Sequence, residues 1–130
     1  MAFATGTGMS RGMPFVFKSL SAETAAVIHG SVEPVNTANL TLTITVTAVS
    51  GTTPTMLLVV EGSADGTNWF TVSTFGANGY SLGSLGTTPT NFTAAATTRG
   101  VVPMSEFMRT RSVIGGTTPS FTYRVEGAVS

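Results

Sequence analysis

The chain has no cysteine and little charge, and each shortage excludes something. Without cysteine there is no disulfide and no thiolate metal site, so the fold rests on packing alone. Asp, Glu, Lys and Arg make up only 9% of the residues and cancel to a formal net charge of zero. Ordinary soluble domains carry about 25%. The six cations, Arg11, Lys18, Arg99, Arg109, Arg111 and Arg124, are scattered. Phosphate binding needs several convergent cations, so a nucleic-acid partner is not expected. The longest apolar run, Met56 to Val60, is far shorter than the ~20 residues of a membrane span, and no membrane association is expected. Residues 1–20 lack a charged stretch followed by an apolar one. No signal peptide is expected, and the chain should stay where it is made.

Chemistry-bearing groups are also sparse. His29 is the one histidine, and it lies in an Ala/Val/Ile-rich segment with no nucleophile motif beside it. A structural or surface role is expected for it. The acids Glu23, Glu33, Glu61, Asp65, Glu106 and Glu126 are widely separated, which supports neither a paired-carboxylate hydrolase nor an oxygen cage for calcium. The expectation is a non-enzymatic protein with no catalytic residue, no metal ligand and no cofactor.

What the chain does have is Thr, Ser, Gly and a period of two. Leu40, Leu42, Ile44 and Val46 alternate with threonines at 41, 43, 45 and 47, so one face is buried and the other is a threonine ladder. Thr55–Glu61 is a strand whose unbroken apolar centre implies cover on both faces. Asp65-Gly66 marks a hairpin, and 69–75 is the return strand. Segments 107–114 and 120–126 alternate again. In the first, Arg109 and Arg111 share a face with Phe107 and Val113; in the second, Phe121, Tyr123 and Val125 share one. Residues 14–18 and 24–29 are further strands, helix being the rival for the alanine-containing second. Residues 89–95 form another strand, and 96–105 an irregular stretch. The sequence Gly-Thr-Thr-Pro occurs at 51–54, 86–89 and 116–119, where it reads as a turn. Unequal spacing and different flanks argue against a repeat.

The sum is a single all-β domain over 13–130, an antiparallel β-sandwich or jelly roll of about eight strands, preceded by an arm at 1–12. The expected core contains Leu42, Ile44, Val46, Leu58, Val60, Trp69, Phe121 and Tyr123. The arm and the Gly-rich loop 76–88 lack any packing pattern yet carry apolar groups. Phe3, Met9, Met13, Tyr80, Leu82 and Leu85 are therefore candidate assembly contacts. A weakly charged surface costs little to desolvate, which suits a protein that packs against others.

Gly51-Thr52-Thr53-Pro54-Thr55, then Ser63-Ala64-Asp65-Gly66-Thr67-Asn68-Trp69, then Gly115-Gly116-Thr117-Thr118-Pro119-Ser120-Phe121 form a familiar series. It resembles the small β-sandwich virion proteins of tailed bacteriophages. Their pattern is G-T-x-P-T, a strand, S-x-D-G-x-x-W, and a final G-G-T-x-P-S-F. The likeness spans about residues 38–128; Ala64 departs from it, standing where a polar residue is expected. It implies a capsid decoration (cement) protein at the virion surface. Its partners would be the major capsid protein and copies of itself, commonly as a homotrimer. The alternative is a carbohydrate-binding or tail-associated host-recognition module with Trp69, Tyr80 or Tyr123 as a stacking platform.

Overall fold

A computed structural model describes residues 14–32, 39–82 and 89–129. The arm at 1–12, with Phe3 and Met9, lies outside the described residues, as do Met13 and Leu85. Seven strands make one antiparallel sheet: β1 (Pro14–Glu23), β2 (Ile28–Val32), β3 (Asn39–Ser63), β4 (Phe70–Gly76), β5 (Gly79–Leu82), β6 (Ala96–Pro103) and β7 (Phe107–Val129). There is no helix among the described residues, so the helical rival for 24–29 is gone.

The spine is the β3–β7 pair, which runs from Leu40↔Val129 to Ser63↔Phe107 with register shifts near its middle. One half of it carries β6 against β3 and β1 against β7. The other half carries β4, then β5, against β3, and β2 against β7. Contacts across the sheet show that this spine is bent. His29 pairs beside Thr110, yet its Nε2 is 3.0 Å from the hydroxyl of Tyr123, thirteen residues further along β7. A straight strand rises ~3.3 Å per residue and would separate those positions by about 40 Å. Likewise a Cβ on Gly100, which pairs with Leu42, would stand 2.6 Å from the ring of Tyr80, near the Leu58 end of β3. The sheet is therefore folded back on itself, and its two halves face each other.

The fold line runs through the two Gly-Thr-Thr-Pro copies at 51–54 and 116–119. They were expected to be turns between strands, but both strands continue through them as bulges. Thr52 pairs with Thr117, and the register slips on either side. Gly51 (φ 114°) and Gly116 (φ 110°) supply positive dihedrals, as do Thr53 (φ 49°) and Thr118 (φ 47°). An extra residue with positive φ bends and twists a strand without ending it.

Between the layers lies the core. Leu40, Leu42, Ile44 and Val46 of β3, with Phe121, Tyr123 and Val125 of β7, face Met56, Leu58, Val60, Phe75 and Met108. Each larger side chain so buried stabilises the fold by about 1.5–3 kcal/mol. Leu42, Ile44, Val46, Leu58, Val60, Phe121 and Tyr123 all lie in this buried cluster, as the alternation predicts. Three segment assignments change. The strand expected at 24–29 is a bend and irregular chain over 24–27, with strand β2 starting only at Ile28. Residues 89–95 contribute only one bridge, Phe92 to Met56. The stretch at 96–105 contains strand β6, paired with β3 over eight positions from Asn39↔Pro103 to Val46↔Ala96.

Candidate assembly surface and a buried polar cluster

β5 ends the sheet on one side, and the hairpin from β4 delivers it there through the tight turn at Ala77 and Asn78. Much of the expected loop 76–88 is thus a hairpin, with 83–88 outside the described residues. Tyr80 and Leu82 are exposed on β5, with Phe70 exposed at the start of β4 and Val101 on β6. The Tyr80 ring is not loose. It stacks on Phe75, with centroids 5.0 Å apart and planes 15° from parallel, and fits where Gly100 has no side chain. A rigid aromatic on a sheet edge loses little entropy when a partner covers it. A second exposed apolar group, Ile28 with Val113, sits on the outer face by β2, where Ile28 pairs with Arg111.

Trp69 requires a correction. It was expected in the core because it opens an alternating segment, but it is half-buried and lies outside the buried cluster. The strand begins at Phe70, so Trp69 belongs to the end of the turn. One ring face is covered by the Arg109 guanidinium, 4.0 Å from the centroid, a cation–π contact. Arg109 in turn is fixed by Glu61, its cross-strand partner. The Nε of Arg109 donates to Oε1 at 2.8 Å and that of Arg111 to Oε2 at 3.1 Å. That ring face is not free to stack on a sugar.

Asp65 organises the preceding turn. Its Oδ1 accepts from the backbone N–H groups of Thr67 and Asn68, both at 2.8 Å, and from the Ser63 hydroxyl at 2.9 Å. The Asn68 amide donates to Oδ2 at 2.8 Å. The backbone donors, Asn68 first and then Thr67, hold this carboxyl well below the usual carboxylate range.

The least expected feature is a polar cluster between the two layers. It joins residues that no local motif connects. Glu23 ends β1, His29 is in β2, and Thr110, Ser112 and Tyr123 come from the two halves of β7. The Tyr123 hydroxyl donates to Glu23 Oε1 and lies 3.0 Å from His29 Nε2. His29 Nε2 is also 3.3 Å from Glu23 Oε2, and Nδ1 is 2.8 Å from the Thr110 hydroxyl. Because Tyr123 gives its proton to Glu23, it accepts from His29, which places the imidazole proton on Nε2. Nδ1 then accepts from Thr110. Ser112 donates to Glu23 at 3.4 Å and accepts the backbone N–H of Val27 at 3.0 Å. Lys18 Nζ donates to the carbonyls of Tyr123 (2.8 Å) and Ser21 (2.7 Å), stands 4.2 Å over the Tyr123 ring, and lies 3.9 Å from Glu23.

Burial dominates the electrostatics here. It pushes His29 below its ordinary value, and Glu23 only partly opposes this. It pushes Lys18 down, again partly offset by Glu23. It pushes Tyr123 up, aided by the bond to Glu23. Chemically the cluster is a clasp. The one histidine faces a tyrosine and a glutamate, while the Ser112 hydroxyl bonds to Glu23 and the backbone, so the order is not that of a serine nucleophile on an imidazole base.

No known family model matches the chain, and no curated protein matches it. No helix among the described residues is long and apolar enough to cross a membrane.

Proposed function

We propose that this chain is a non-enzymatic structural protein of a phage virion, a decoration (cement) protein that binds over the major capsid protein lattice at the particle surface, with its own copies as neighbours in a homotrimer. One observation carries the reading: a terminal strand of the sheet, β5, that exposes Tyr80 and Leu82 on a domain with very little charge. Exposed apolar groups clustered on a domain edge mark contact surfaces. Charge depletion is the compositional sign of an interface centre. The motif series from Gly51 to Phe121 supports the phage setting.

The reading predicts where the protein is found. Mass spectrometry of purified particles should detect it in stoichiometric amounts, and a particle map should place β-rich density of this size on the outside of the shell. Absence from mature particles, together with specific retention on a glycan array, would replace it with the host-recognition alternative.

A further inference from the structure

The cluster between β1, β2 and β7 is built from charged and titratable side chains that the assembly surface does not use. Its position gives it leverage. Glu23, Lys18 and Tyr123 belong to one half of the folded sheet, and His29, Thr110 and Ser112 to the other. β2 has five residues, pairs only with β7 among the described strands, and shows a register shift between His29 and Val32. Among the described side chains of β2, His29 is the one that bonds across the layers, to Glu23 and Tyr123.

We propose that the His29–Tyr123–Glu23 cluster is an acid-released clasp: it holds β2 and the end of β1 closed while His29 is neutral and lets them open when His29 takes up a second proton.

The argument is one of donors, acceptors and charge. In the neutral clasp every buried side-chain polar atom among the described residues has a partner. The charges of Lys18 and Glu23 balance. Adding a proton to Nδ1 turns an acceptor into a donor that points at a hydroxyl already donating to it. The Thr110 proton must then turn away, in a residue with no solvent exposure. The added charge also has no free counter-ion. Glu23 is shared among Lys18, Tyr123, Ser112 and His29, and Lys18 opposes a second cation in the same space. No other titratable side chain bonds to His29 from β1 or β7, and β2 carries none besides His29 itself.

The sign follows from the direction of the shift. His29 is held below its unfolded value of about 6.5, so the open form binds more protons between that value and the folded one. The closed form is fully favoured above pH 6.5 and loses ground as the pH falls through that window. Within it, the opening equilibrium rises about tenfold for each unit of pH. Opening would free Ile28 and Val27 from the β7 edge, so the device makes one apolar side of the domain pH-dependent.

Two measurements on the intact chain test this. The first is the midpoint of the His29 imidazole proton shifts in an NMR titration. The second is hydrogen exchange of the β2 amides between pH 7.5 and 5, corrected for intrinsic rates. The expected result is a midpoint below 6.5 and a loss of β2 protection beginning as pH falls below 6.5, while the amides of β3 and β6 stay protected. In His29→Gln the β2 protection should be flat across the same range. A midpoint at or above 6.5, β2 protection that does not change with pH, or an equal acid response in His29→Gln would each overturn the clasp. Should the variant not fold, the titration and exchange of the natural chain decide alone.

Discussion

The carbonyl oxygen of Thr53 lies 2.7 Å from where a Cβ of Gly116 would stand, and the carbonyl of Thr118 lies 2.7 Å from where a Cβ of Gly51 would stand. The two Gly-Thr-Thr-Pro copies thus grip each other across the β3–β7 pair in a local two-fold arrangement. Each glycine is required twice over, by its positive φ and by the carbonyl opposite. Gly116→Ala and Gly51→Ala should each lower stability by about 1–3 kcal/mol in denaturant melts, with similar magnitudes because the environments match. Thr53 and Thr118 are β-branched residues in the left-handed region, where only Gly, Asn and Asp are at ease. Thr53→Asn should therefore be neutral or stabilising by up to about 1 kcal/mol. A loss above 1 kcal/mol would show that the threonine side chain matters more than its backbone strain.

Tyr123→Phe keeps the ring in the core and removes only the hydroxyl that joins Glu23 to His29. The expected loss is about 1–3 kcal/mol, the cost of leaving buried polar partners short of a bond. Equilibrium unfolding measures it. A neutral result would mean that the hydroxyl contributes nothing to the layer contact.

Trp69→Ala should cost about 1–3 kcal/mol, less than the 3–5 typical of a fully buried aromatic, because the residue is half-buried and its main contact is Arg109. Glu61→Ala should cost a similar amount by leaving two arginines side by side. If the Trp69 contact runs through Arg109 as placed, the double variant Trp69→Ala, Glu61→Ala should lose less than the sum of the two.

How much of this could be read from residues alone depends on what faces inward. β3 was legible because its inward positions are Leu40, Leu42, Ile44 and Val46, against threonine outside. β6 was not. Its inward positions are Thr98, Gly100 and Val102: Gly100 leaves room for the Tyr80 ring, and the Thr98 hydroxyl donates to the Gly76 carbonyl at 2.7 Å. A strand whose core face is a hydroxyl, a gap and a single valine shows no apolar alternation. The Gly-Thr-Thr-Pro segments looked like turns because a turn and a bulge need the same positive-φ glycine; only the partner strand distinguishes them. All-β architecture with antiparallel pairing was evident from the turn chemistry. That the strands form one folded sheet was not, since continuity through residues 51–54 and 116–119 is a property of the pair. The polar cluster was illegible for a simpler reason. Glu23 and Tyr123 are a hundred residues apart, and His29 offered only an isolated polar residue in an apolar strand, a signal shared with many surface histidines.

Removing residues 1–12 should leave the domain folded, since the seven described strands begin at Pro14 and the sequence of the arm carries no strand period. Circular dichroism of the shortened chain should match that of the full one, while its binding to empty particles should weaken. Phe3 and Met9 would each contribute up to about 1.5–3 kcal/mol if buried on the shell. Equal binding by the two chains would remove the arm from the contact.

The central claim is that this domain is an assembly part whose β5 edge is the contact. The direct test is co-sedimentation of the purified chain with shells made only of major capsid protein, comparing the natural sequence with Tyr80→Ser, Leu82→Ser. Saturable binding is predicted for the natural chain, with a loss of at least about tenfold in the double variant at unchanged strand content, since one buried apolar side chain alone is worth about that factor. No saturable binding by the natural chain, or equal binding by both, would contradict it.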